Sequence, residues 1–152
     1  MRALMIAGVV GVLGMVTVTG QQARDAALVT RAMEIHQRVL TIDTHDDIPF
    51  DFATPEVDPG VRGDRQLDLP KMREGGLDAG FFVVYVGQGD RTPEGYAKAK
   101  ADAMTKFDAI RRMTEKMHPD TIALAVSPAD VERIHKGGKL VAAIGIENGF
   151  EI

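Results

Sequence analysis

Beyond residue 20 the chain switches repeatedly between helical and extended patterns of apolar positions. From 21 to about 37, Ala26, Val29, Met33 and His36 recur three and four residues apart, with Arg24, Asp25 and Arg31 on other faces. That spacing predicts a helix. Residues 38–43 (RVLTID) form a short β-prone run that ends in an acidic cluster. Residues 49–70, rich in Pro, Gly and Asp, show no sustained period and predict a long loop. Loops of that length are usually functional or disordered. LPKMREGG (69–76) predicts a short helix stopped by its glycines. LDAGFFVVYVG (77–87) predicts a continuous apolar strand, of the kind buried on both faces of a parallel sheet.

The second half repeats the alternation with stronger signals. Thr92 is a helix cap and Pro93 suits the first helical position. Tyr96, Ala99, Ala103, Phe107, Ile110, Met113 and Met117 make the apolar stripe of the helix that follows, and Pro119 ends it. TIALAV (121–126) predicts a strand, and Ser127 with Asp130 caps a further helix to His135. Gly137 and Gly138 break that helix before KLVAAIGIE (139–147) returns as a strand. Strands alternating with helices predict an α/β fold with a parallel sheet. No helix closes over the last strand, which leaves a parallel strand uncovered. The chain therefore reads as an incomplete fold.

Composition narrows the functional classes. The net charge of −4 argues against a nucleic-acid partner, which favours a clustered basic face. With no cysteine, disulfides, thiolate metal sites and a cysteine nucleophile are excluded. Residues 1–20 stand apart: Arg2 is followed by an uncharged run from 3 to 18, then by the small residues of Val18-Thr19-Gly20. This is the pattern of a secretory signal peptide cleaved near Gly20. As a retained anchor, the run falls short of the roughly 18 apolar residues a spanning helix needs. The expected location is periplasmic or extracellular, with membrane association through this segment as the other reading.

Chemistry concentrates at two predicted strand ends. In THDD (44–47), His45 and Asp47 are two apart, so in an extended segment they project to one side while Asp46 faces away. An imidazole nitrogen and a carboxylate oxygen suit a divalent ion such as zinc. Glu147 follows an apolar strand, where a buried carboxylate needs a cation or strong donors. On spacing alone two readings stand. In one, His45, Asp47 and Glu147 share a metal. In the other, Asp43 and Asp46 form turns, His45 is a hydrogen-bonded strand-end residue and Glu147 pairs with an arginine. His36, His118 and His135 fit structural roles, His135 because it falls in a helix's last turn, where its charge suits the dipole.

Taken in order, IDTHDDIP, QLDLPKMREGGLDAGFFVVYV and AAIGIENGFEI closely resemble the membrane dipeptidase (renal dipeptidase, peptidase M19) family of amidohydrolase-like hydrolases. The resemblance runs from about residue 30 to the end. It implies a (β/α)8 barrel of TIM type with two zinc ions at the carboxyl ends of its strands. His45 and Asp47 match the first-strand motif that holds one zinc, and Glu147 matches the glutamate that bridges both ions. The implied activity is hydrolysis of dipeptides, the metals activating water and polarising the scissile carbonyl. A complete protein of this type is also a candidate homodimer.

The family's later histidine ligands and its proton-handling aspartate have no counterpart in these residues. A full barrel takes about 250 residues, so 21–152 corresponds to the amino-terminal part of one. No catalytic group beyond the metal ligands is expected here, and the fragment is expected to be inactive alone. Two alternatives are a non-catalytic exported binding module and another His-x-Asp metallohydrolase such as a phosphoesterase. The latter wants a phosphate cradle, for which Gly87-Gln88-Gly89 is short.

Overall fold

A computed structural model of the chain describes residues 22–150, so the leader predicted over 1–20 lies outside the described residues. The chain divides into two units, one ending at Val39 and the other beginning at Leu40. In the first, the predicted helix forms as α1 (22–36). Its end is closed by the Gln37 and Arg38 amides, which donate to the Met33 and Ile35 carbonyls at 2.9 and 3.0 Å.

The second unit is a four-stranded sheet with its helices. The strands are β1 (Ile42–Asp47), β2 (Ala79–Tyr85), β3 (Ile122–Leu124) and β4 (Leu140–Glu147). All pairings are parallel, and the order is β1-β2-β4-β3. The predicted parallel α/β architecture is therefore present, with two differences of detail. The strand expected over 121–126 shrinks to Ile122–Leu124, and it lies at the edge of the sheet, outside β4. And β1 starts later than expected and runs through the acidic cluster to Asp47.

The helices form where their caps predict. Asp68 caps α2 (Leu69–Gly75) by accepting from the Lys71 amide at 2.8 Å, and Gly76 ends it in the left-handed region at φ 68°. Thr92 caps α3 (Pro93–Arg112) through the Gly95 amide at 3.1 Å. This helix does not stay α-helical to Pro119: Met113–Met117 form a π-turn, closed by the His118 amide on the Met113 carbonyl at 2.9 Å. Ser127 caps α4 (Pro128–Lys136). The main core joins the sheet to α2, α3 and the π-turn through Phe82, Val84, Met72, Ile110 and Met113, all at most 2 % exposed. The other face of β2 is more open than its apolar run predicts, with Phe81 36 % and Tyr85 40 % exposed.

The loop between β1 and α2 is ordered by polar ties. Arg112 donates through Nε to the Ala53 carbonyl at 2.6 Å and through Nη2 to the Phe52 carbonyl at 3.1 Å. His118 and Asp58 share a 2.5 Å contact, and the Gly60 amide donates to the same carboxylate at 2.7 Å. No side chain fits at Gly60, where a Cβ would stand 2.1 Å from the His118 ring. Lys71 reaches back to the Gly63 and Arg65 carbonyls. Asp68 is buried, which by itself raises a carboxyl pKa; the Gly63 and Lys71 amides and the Lys71 ammonium outweigh that and hold it below the ordinary value.

Two outcomes follow for stability. Because the folded pKa of Asp68 is lowered, its contribution is complete above the unfolded value of about 3.9 and fades as pH falls through the folded one. Asp68→Ala is expected to cost about 1–2 kcal/mol near neutral pH, and urea titrations should show that gap narrowing below about pH 4. Arg112→Met leaves two loop carbonyls without their donors and should cost about 1–3 kcal/mol by the same measurement.

Candidate metal centre

The site begins with the way β1 is pinned to β2. The Thr41 amide donates to Asp78 Oδ2 at 2.9 Å, and the Thr41 hydroxyl donates to the Gly76 carbonyl at 2.6 Å. The Asp78 amide in turn donates to Thr41 Oγ1 at 2.9 Å. With the strand starts fixed, the ladder sets the far ends: Ile42 stands opposite Ala79 and Asp47 opposite Val83. Between Asp43 and Asp46 the register shifts, so β1 carries extra backbone there. The Asp43 carboxylate supports that irregularity by accepting the His45 amide at 3.0 Å. On the other side of β2, Glu147 stands opposite Tyr85. Val83 and Tyr85 are two apart, so Asp47 and Glu147 share a face of the sheet. After Glu147 the chain turns at Asn148, whose φ is 61° and whose side-chain amide donates to the Val86 carbonyl at 3.2 Å.

These constraints bring all three sequence-predicted residues together. His45 Nε2 lies 3.1 Å from Glu147 Oε2 and 3.6 Å from Asp47 Oδ1, and the three donor atoms are within 4.8 Å of one another. Ligands about 2 Å from a tetrahedral zinc stand about 3.3 Å apart. The separations of His45 from the two carboxylates bracket that value, so the donor set fits one divalent ion. Glu147 is not buried as the sequence suggests: its side chain is 43 % exposed, because the face it projects from is open.

Asp46 does face away, onto the side of Phe82, but it is no turn former. Its Oδ2 is buried without a hydrogen-bond partner and occupies the space where a Cβ at position 80 would stand 2.6 Å away. Burial first, and then the neighbouring Asp43 carboxylate, push its pKa up to about 6 against the opposing pull of His45.

A second residue comes from α3. Lys106 is only 5 % exposed, and its ammonium lies 5.0 Å from the Phe50 ring centroid and 5.9 Å from that of Tyr85. Burial pushes its pKa below the ordinary lysine value, while the Asp47 and Glu147 carboxylates pull the other way. The signal for it was in the sequence. Ala99, Ala103, Lys106, Ile110 and Met113 repeat at four, three, four and three residues, so the lysine occupies the buried stripe. Phe107, placed on the stripe by the sequence reading, only packs at its margin.

A cleft of about 380 Å³ borders the centre, lined by His45 and Asp47 of β1 and by Phe52, Arg65 and Gln66 of the long loop. The remaining histidines lie elsewhere. His118 meets Asp58, His135 Nδ1 lies 3.6 Å from Asp78 Oδ1 in the last turn of α4, and His36 belongs to α1.

Comparison with known proteins finds similarity to dipeptidases. The chain is 30% identical over 132 residues to the dipeptidase ataJ of Aspergillus terreus, covering 80% of this chain and 32% of that protein. It is 32% identical over 91 residues to the dipeptidase aclJ of Aspergillus oryzae, covering 57% of this chain and 21% of the relative. Among solved structures, the probable dipeptidase PvdM of Pseudomonas aeruginosa superposes with a TM-score of 0.75 at 24% identity, over 83% of this chain and 32% of that one. The dipeptidase AC, a metallopeptidase of family M19, superposes with a TM-score of 0.59 at 21% identity, over 75% of this chain and 38% of the other. The chain thus has the fold of part of these dipeptidases, whose architecture is the TIM barrel, and spans about a third of the length of ataJ and PvdM. Residues 29–152 match the family described as membrane dipeptidase, and the chain belongs to that family, peptidase family M19.

Proposed function

We propose that the whole protein hydrolyses dipeptides at a zinc centre, and that His45, Asp47 and Glu147 are metal ligands in it. Family membership supports the reaction class. The observation that carries the assignment is the convergence of three donor atoms within 4.8 Å at the carboxyl ends of β1 and β4. In this reading Glu147, reached from the opposite side of β2, is the bridge between two zinc ions, and His45 and Asp47 hold one of them. Bound there, zinc supplies Lewis acidity toward the scissile carbonyl and toward water.

The chain's own side chains then have separate tasks. His45 keeps Nε2 directed at both carboxylates, while Asp43 fixes the backbone beneath it. Asp47 and Glu147 supply the negative charge that a dication neutralises. The bordering cleft, lined by Phe52, Arg65 and Gln66 of the long loop, is the space in which a small peptide would lie. Export through residues 1–20 belongs to the same proposal. Among the described residues no helix is long and apolar enough to cross a membrane.

Zinc binding to the 152-residue chain, followed by competition with a chromophoric chelator, tests the ligand set. The wild type should take up one ion, and Glu147→Ala or His45→Ala should weaken binding by well over tenfold, since even outer partners of a ligand are worth about 10–100-fold. Unchanged affinity in both variants would remove the assignment. The same chain, loaded with zinc, is expected to leave a dipeptide such as Gly–D-Ala intact. Release of free alanine, followed by chromatography, would show that these residues suffice for turnover.

A further inference from the structure

The donor cluster carries two carboxylates, and Lys106 of α3 feels the charge of both. Placement is set by the ladder. Phe50 follows Asp47 by three residues, and Tyr85 stands opposite Glu147. The ammonium thus lies over one ring from the segment that follows Asp47 and one from β2, the strand that stands between β1 and β4. Among the described residues it makes no hydrogen bond or ion pair of its own, although the residue is 5 % exposed. A lysine buried this deeply is costly unless its charge is used, and aromatic faces offset only part of that cost.

We propose that Lys106 is a positioning residue of the acidic centre: a fixed cation that holds the Asp47 and Glu147 carboxylates together before an ion arrives and keeps the bound ion exchangeable. This rests on the metal reading of His45, Asp47 and Glu147. The ammonium attracts both acids when the centre is empty of other charge. Once a dication sits among the three donors, the same ammonium repels it, and at low effective dielectric that repulsion weakens binding.

Two measurements separate this inference from the reading beneath it. In the first, Lys106→Met keeps the apolar stem and removes the charge. It should bind zinc about tenfold more tightly than the wild type, and Lys106→Arg should restore wild-type affinity. Equal or weaker binding in Lys106→Met, with wild-type binding intact, overturns the inference and leaves the ligand assignment standing. The second needs no metal: urea midpoints of the metal-free wild type, Lys106→Met, Glu147→Gln and the double variant form a cycle. The inference expects the two substitutions to be coupled, each costing less in the presence of the other. Additive effects overturn it, including in the case where the wild type binds no zinc and the ligand assignment itself has failed.

Discussion

The constraint on which the rest depends is the pairing of β2 with β1 on one side and β4 on the other. Both carboxylate donors reach the centre by backbone register, while His45 stands on the irregular stretch between Asp43 and Asp46. Asp47 is delivered opposite Val83 and Glu147 opposite Tyr85, and both face the same way because those β2 residues are two apart. A slip of one residue in either ladder would turn a donor to the opposite face. The polar knot of Thr41, Gly76 and Asp78 opposes such a slip at the start of β1. The buried β2 residues Phe82 and Val84 oppose it through the core.

Charge is partitioned between the two faces of β1. Three acids and one histidine occur within five residues, Asp43 to Asp47, and Glu147 adds a fourth acid from across the sheet. Asp47 and Glu147 gather with His45 on the open face, where water and an incoming ion have access. Asp46 is sent to the helix side, where Gly80 leaves room for it and burial raises its pKa. Exposed acids can wait for a dication at modest cost, whereas a second buried carboxylate on the same face would be strongly disfavoured.

Much of this was legible from residue order because the signals are local. Thr92 with Pro93, Ser127 with Asp130, and the left-handed Gly76 each act within one helical turn, and the helices form where they stand. The His45 and Asp47 pair was legible for the same reason. What escaped was non-local. The position of β3 outside β4 depends on which neighbour an apolar run chooses, and the periodicity is the same either way. The exposure of Phe81, Tyr85 and Glu147 depends on whether anything covers that face. The long loop looked unstructured because its order comes from Arg112 and His118, roughly sixty residues away in the chain. Lys106 is the instructive miss: a charge on a stripe of alanine, isoleucine and methionine reads as a break in the pattern, when the residue is buried with the rest of the stripe.

The short β3 has a mechanical consequence. It pairs with β4 only at Leu140–Ala142, and β1 lies at the sheet's other margin. Among the described residues, both donor-bearing strand tips are thus suspended from β2 by a single ladder each. A displacement of β2 would therefore carry Asp47 and Glu147 together, so within the described sheet that one strand sets the spacing of the two carboxylates.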